Sequence, residues 1–420
     1  MPAKVAMLSY HTSPLARLGR TLDAGGMNVY IRGLASELGR SGISVDVFTR
    51  RSSPDQPTIQ QLDRHVRLIS LPAGPQRLLP PTELFPYVDE FTRRVAHFAE
   101  CDARDGHGYD LVHSHYWLSA VAGMALAEEW DARHATMFHT VELLKRQQYG
   151  GGALTPAGAI RIEHEARIAR EADRIIVSTE HEREQLATLY GLAARRLRII
   201  PCGVDLRAFT PGTPAERQAA CAALVPDGSP LLLFVGRLDP IKGLDLLLES
   251  VALLRNRARL IVVGGSPDGD PEIERLRGVA TGLGLGDRVS FPGAVGQDEL
   301  VRYYRAADAL AVTSRYESFG LAAVEALACG TPVVASQAGG LPSIVREGEN
   351  GLLVRWRSPQ AFAERLDELL GDADLRARLA AHARASVERL DWRSIGNDVR
   401  LMYGQLMASP RAAVAACSCF

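Results

Sequence analysis

At 420 residues the chain is longer than one hydrophobic core usually supports, so two domains of roughly 200 residues each are expected. Lys+Arg 48 against Asp+Glu 49 leaves a net charge of -1, which argues against a surface built for nucleic acid or anionic lipid; a polyanion has to be small and held locally. The first residues, MPAKVAMLSYHT, show no cleavage signal, and no run of about 18 apolar residues follows anywhere, so a cytoplasmic chain without integral membrane contact is expected. The 6 cysteines are scattered without a CxxC pair, which suggests neither a disulfide framework nor a zinc site. The closing Cys417-Ser418-Cys419 reads as part of a frayed tail after Pro410.

In chain order, KVAMLSY, SVDVFTR, VRLISL, DLVHSH, ATMFHT, RIIVST and LRIIP read as strands, and PLLLFVG, RLIVVGG, RVSFPG, ALAVTS, TPVVAS and GLLV form a second series. Between them lie amphipathic stretches such as NVYIRGLASELGRSG and GLDLLLESVALLRN, with apolar residues at helical spacing. Such alternation predicts α/β domains with parallel sheets covered by helices on both faces. The pattern restarts after PCGVDLRAFTPGTP, residues 201–214, which reads as an interdomain connection. Two Rossmann-like, doubly wound domains facing across a cleft are expected, over residues 1–205 and 206–388. A helix over 389–408 is expected to pack back on the first domain, and 409–420 to form a flexible tail.

Ligands of doubly wound sheets bind at the carboxyl ends of strands, which selects three loops. In LDAGGMNVYIRGL, Gly25 and Gly26 precede a helix start where backbone amides can meet an anion, though a tight turn fits the same stretch. In FVGRLDPIKGLDLLLE, Arg237 and Lys242 stand between a strand end and a helix, as a planar fork and a point charge suited to a diphosphate; an ordinary polar loop is the alternative. No GxxxxGK[ST] and no strand-linked GxGxxG occurs, against a Walker loop and a dinucleotide dehydrogenase. In TSRYESFGLAAVEALACGTPVVAS, Glu317 precedes a helix running from about Gly320 to Cys329, and Glu325 lies inside it. Glu317 can accept hydrogen bonds from sugar hydroxyls, and Glu325 from a vicinal diol such as a ribose. Two acids that merely offset a helix dipole, and a glycosidase pair, are the rival readings.

The ESFGL motif with its second Glu, together with GRLDPIKG and GGMNVY, resembles the retaining family 4 glycosyltransferases of GT-B fold over nearly the whole chain. MLSYHTSP, SVDVFTRR, HSHYWLS and HTVELLK look most like the branch acting on D-inositol 3-phosphate, with sucrose-phosphate synthases a more distant likeness. That resemblance implies a first, acceptor-binding domain and a second, nucleotide-sugar-binding one. It implies catalytic roles for His139, Arg237, Lys242 and Glu317, and donor contacts from Gly26, Arg237, Lys242, Val295, Glu317, Phe319, Gly320, Leu321 and Glu325. Asn28, Tyr116, Thr140 and Arg161 fall on the acceptor side. The implied reaction moves a hexosyl group from a UDP-linked sugar to a small phosphorylated acceptor, with no cofactor and no metal. A homodimer is left open.

One departure concerns the acceptor. The inositol-phosphate enzymes carry a lysine after the LPAGP segment, where this chain has Pro80 and Pro81, with Arg77 as the nearest substitute. Asp-Gly-Asp at 268–270 and Asp-Ala-Asp at 372–374 mimic a metal-binding DxD and read as solvated turns. Arg161 and Glu165 are also spaced for an ordinary i,i+4 surface pair. The alternatives in function are a sucrose-phosphate-synthase-like transferase, a non-catalytic sugar-nucleotide binder, and a hydrolase or phosphorylase.

Overall fold

The computed structural model describes residues 4–16, 25–102, 108–148, 154–266 and 270–409. Asp268 and Gly269, the glycine run at 150–152, Cys417, Cys419 and the tail from 410 onward lie outside them.

The first half runs β1 (Lys4–Leu8), α1 (Gly26–Arg40), β2 (Ser44–Arg50), β3 (Ile59–Asp63), β4 (Val66–Leu71), α2 (Val88–Asp102), β5 (Leu111–His115), α3 (Trp117–Glu129), β6 (Arg133–Met137), α4 (Glu142–Gln148), α5 (Pro156–Glu171), β7 (Arg174–Val177), α6 (Glu180–Tyr190) and β8 (Leu197–Ile199). The second half runs α7 (Pro214–Leu224), β9 (Leu231–Val235), α8 (Leu244–Ala252), β10 (Arg259–Val263), α9 (Pro271–Gly282), β11 (Val289–Gly293), α10 (Gln297–Ala306), β12 (Ala309–Val312), α11 (Leu321–Ala328), β13 (Val333–Ser336), β14 (Gly351–Val354), α12 (Pro359–Gly371), α13 (Ala373–Val387) and α14 (Trp392–Ala408).

The strands make two sheets, in the orders β3-β4-β2-β1-β5-β6-β7-β8 and β11-β10-β9-β12-β13-β14. Every pairing is parallel except β3 with β4. Strands such as LLLFV of β9, buried along nearly their whole length, need helices on both sides, and the following helices supply them. In the first sheet the winding reverses between β1 and β5; in the second it reverses between β9 and β12. Each reversal leaves two loops diverging above the strand ends, and that divergence opens a crevice.

Sequence periodicity did not reveal β3. Its IQQLD is polar on both faces and mostly exposed, an antiparallel edge strand with little apolar alternation to read.

The two halves are joined twice, and the joints touch. Val204 N donates to Leu390 O at 2.8 Å and Trp392 N to Val204 O at 3.3 Å, so the connection after β8 and the start of α14 run side by side. The Trp392 indole packs where a Cβ on Gly33 of α1 would lie 2.2 Å from its Cε2, and where a Cβ on Gly203 would lie 2.4 Å from its ring. A glycine inside a helix costs roughly 0.5–1 kcal/mol. Here it lets α14 return to the first domain and lie against α1.

Candidate functional site

The loops that diverge between β9 and β12 carry the residues singled out in the second domain. Thr313 Oγ1 donates to the carbonyls of Lys242 and Gly243, both at 3.0 Å, and Arg315 N donates to Ile241 O at 2.7 Å. The loops approach so closely that a Cβ on Gly243, whose φ is 70°, would sit 2.4 Å from Thr313 O. Clamped in this way, the Lys242 ammonium lies 2.6 Å from Glu317 Oε2, which also accepts from Ser314 Oγ at 3.2 Å. Arg237 stands beside Asp239, with 3.9 Å between Nη2 and Oδ2.

Gly320 caps α11 with φ 99°, where a side chain would be strained and its Cβ would meet Leu341 Cδ2 at 2.8 Å. Gly25, Gly26, Arg237, Lys242, Val295, Glu317, Gly320, Leu321 and Glu325 line one cleft, with the first two facing the rest from the opposite domain. Phe319 is not among its lining. Its ring is buried in the core beneath the loop.

Glu325 is buried on α11, and Tyr304 OH donates to its Oε2 at 2.8 Å. Burial pushes the carboxyl up to about 7, and the tyrosine hydrogen bond opposes that rise. Glu317 thus meets a cation at the cleft while Glu325 meets a neutral hydroxyl in a dry place. The two carboxylates flank a helix start that can receive an anion between them.

The other candidates collect at the reversal in the first sheet. His11, after β1, packs against Tyr116, after β5, with ring centroids 4.4 Å apart and the planes tilted by 43°. His11 carried no sequence signal of its own, because a single histidine after a strand is unremarkable until the fold sets it on a neighbour. Tyr116 and His139 are non-glycine residues with φ of 74° and 59°. Such conformations persist where surrounding contacts over-determine them, often at functional sites.

Arg161, on α5, is the centre of this group. Its Nη2 donates to Thr140 O at 2.7 Å and Thr140 Oγ1 at 3.1 Å, and its Nη1 to Tyr116 OH at 3.1 Å. Its Nε donates to Glu165 Oε1 at 2.7 Å, and Glu142 Oε2 lies 3.3 Å from Nη1. Arg161 is 8% exposed and Glu165 0%, so the surface-pair reading is corrected: this is a buried ion pair. Thr155 caps α5 by accepting from Gly158 N, and Pro156 begins the helix, which aims Arg161 from its second turn.

Asn28 is also buried. Its Oδ1 accepts from Gly25 N at 2.9 Å, and its Nδ2 donates to Thr12 Oγ1 at 2.9 Å and to Ser13 O at 2.6 Å. The amide thereby ties the loop after β1 to the start of α1. From Gly25 and Gly26 in the cleft, α1 leads within about a turn to Tyr30, whose ring stands edge-on to His139 at 5.5 Å.

His113, His115 and His139 line up through ring contacts instead of converging on a point, and no group of three His, Cys, Asp or Glu able to hold a metal is found among the described residues. Asp270 and Asp372, from the two DxD look-alikes, cap α9 and α13. Arg77 is exposed, and its carbonyl accepts from Arg50 Nη2 at 2.6 Å.

Residues 24–208 match the family model described as Glycosyltransferase Family 4, and residues 220–386 that described as Glycosyl transferases group 1. The D-inositol 3-phosphate glycosyltransferase of Xylanimonas cellulosilytica is 42% identical over 393 residues, covering 93% of both chains. Its namesake in Mycolicibacterium gilvum is 41% identical over 416 residues, covering 98% of this chain and 91% of that protein. Among solved structures, sucrose-phosphate synthase from Thermosynechococcus elongatus superposes with a TM-score of 0.87 at 33% identity, over 97% of this chain and 100% of its own. HepE from Anabaena, in complex with UDP and glucose, superposes with a TM-score of 0.74 at 21% identity over 96% of this chain and 100% of its own, a likeness of fold alone.

Proposed function

We propose, on the premise that this chain belongs to glycosyltransferase family 4 and is a glycosyltransferase of GT-B fold, that it moves a hexosyl group from a UDP-linked sugar to a small phosphorylated polyol of the inositol phosphate kind, with retention at the anomeric carbon. The observation that carries the donor half is the clamp of Lys242 and Glu317 at the start of α11, facing Gly25 and Gly26 across one cleft. A diphosphate lying there meets Lys242, Arg237 and the first amides of α11, while its sugar reaches Glu317 and its ribose Glu325.

In the reaction the acceptor hydroxyl oxygen bonds to the anomeric carbon, and the bond from that carbon to the diphosphate oxygen breaks. The hydroxyl proton passes to a leaving phosphate oxygen. Negative charge gathers on the diphosphate in the transition state, and fixed cations and amides stabilise it with little reorganisation. Closing the cleft removes water from the same contacts.

The acceptor half rests on the names of the relatives and on Arg161 with Thr140 and Tyr116 beside it. A second reading, a neutral polyol or sugar acceptor, is favoured by the two carboxylates that already balance Arg161, and by Pro80 and Pro81 near the place of the family lysine. Incubation with UDP-glucose and, in turn, inositol 3-phosphate, fructose 6-phosphate and free inositol, with release of UDP followed, separates the readings. The phosphorylated reading expects kcat/KM for one phosphorylated acceptor to exceed that for its dephospho form by about 30-fold or more, the worth of a desolvated charged contact. Equal rates favour the neutral reading, and proton NMR of the new linkage tests retention.

A further inference from the structure

Behind the cleft, three imidazoles join the acceptor cluster to the helix that crosses between domains. His139 Nε2 lies 3.0 Å from His115 Nδ1. The His115 ring packs on His113 with centroids 4.3 Å apart, and His113 Nδ1 lies 2.7 Å from Tyr403 OH, on α14. Tyr30 closes the group edge-on to both His115 and His139. His115 Nε2 is buried without a hydrogen-bond partner. Burial keeps the imidazoles of His113, His115 and His139 neutral, reinforced by their mutual proximity and, for His139, by His11.

A hydrogen bond between two neutral imidazoles has two forms. In one, His139 donates from Nε2, and His115 must then carry its own proton on Nε2 as a buried N–H with nothing to receive it. In the other, His115 donates from Nδ1, and its unmatched Nε2 keeps only a lone pair. Orphaned buried donors are rarer and costlier than under-used acceptors. The second form wins, and it leaves the proton of His139 on Nδ1.

We infer that His115 is a positioning residue that fixes the tautomer of His139, so that this histidine offers the reaction an Nδ1–H donor and presents no free lone pair as a base. Tyr403 and His113 hold His115 in place, which ties that tautomer to the seating of α14. The inference deepens the proposed transfer and rests on it for its consequence, which is that His139 stabilises an oxygen of the bound sugar by donation while the acceptor proton leaves by another route.

The test uses the full chain labelled with 15N-histidine. Long-range proton–nitrogen spectra at neutral pH read the tautomer of each imidazole, with His139 assigned by its loss in His139→Gln. The wild-type protein is expected to show His139 protonated on Nδ1. His115→Phe, which keeps a ring but no donor, should move it to a mixture with Nε2–H and lower kcat about tenfold while changing donor KM less than twofold; His115→Asn, which restores an N–H, should recover most of the loss.

Nε2–H on His139 in the wild-type protein overturns the inference without any variant having to fold, and so does a His115→Phe spectrum unchanged at His139. The spectra need no substrate, so they stand or fall apart from the transferase reading. Absence of sugar transfer by the wild-type protein would sink that reading alone.

Discussion

At the scale of single residues, the cleft separates charge from burial. Arg237 and Lys242 stand in one polar loop that lines the cleft, where the proposed transfer puts the leaving diphosphate. Replacing either by Ala should lower kcat about 100-fold or more while the melting temperature stays close to wild type, since charge developing in the transition state is what each would stabilise. Kinetics near wild type in either variant would remove the diphosphate from this loop.

Glu325 gives a pH signature. Its folded pKa is raised to about 7, so between the ordinary carboxyl range and pH 7 the native state holds a proton that the unfolded chain has released; this group's contribution to stability falls as pH rises through that window and is constant above it. Binding runs the other way. In the proposed complex a ribose diol donates to the carboxylate, so affinity for UDP should weaken as pH falls below about 7, approaching tenfold per unit. Calorimetry at pH 8 and pH 6 on the wild type and on Glu325→Gln reads it: the terminal phosphate of UDP also gains a proton near pH 6, so the loss in the wild type is expected to exceed that in the variant several-fold, and equal losses contradict the ribose contact.

These charged loop residues were legible in the sequence because loops after strands of a doubly wound sheet gather at one edge. His11 was not, and neither was the inward turn of Asn28, because both depend on which loop lies opposite.

At the scale of elements, apolar periodicity exposed the buried strands and most of the helices between them, and it failed at β3, where an exposed polar edge carries no such signal. It also could not show why α1 tolerates Gly33 at its centre. In an isolated helix Gly33→Ala would be expected to add stability. In this fold the new methyl must push into Trp392, and α14 cannot remain seated against α1 without movement. The variant should lose roughly 1–3 kcal/mol in urea unfolding. Hydrogen exchange should also quicken in α14. A stabilised protein with unchanged exchange would show that the contact yields freely.

At the scale of the whole molecule, two guanidiniums hold the connection between the domains: Arg305, which donates from Nε to Thr210 O at 2.8 Å and from Nη2 to Thr210 Oγ1 at 2.6 Å, and Arg384. Arg384 of α13 donates from Nη1 to Phe209 O and Ala328 O and from Nη2 to Leu206 O, each at 2.8 Å. It thereby joins the interdomain connection to the carboxyl end of α11, the helix whose other end faces the cleft. Arg384→Met leaves three carbonyls without this donor, at a cost of about 1–3 kcal/mol for an unsatisfied buried group. Amide exchange should rise at 203–211 and at 326–330 together, with the strands of both sheets unaffected; a rise at only one of the two would show that they are not coupled through this side chain. No sequence pattern announces such a latch, because its partners are main-chain carbonyls far apart in the chain.

The claim on which the rest depends is that the cleft between the domains transfers a sugar from a nucleotide diphosphate. Mass spectrometry of a reaction containing UDP-glucose and inositol 3-phosphate tests it most directly. One equivalent of UDP is expected for each glycosylated acceptor, with the yield of Lys242→Ala lower by about 100-fold at equal time. Acceptor-independent release of free glucose with UDP, or a glycosylated product formed equally well by Lys242→Ala, would contradict it.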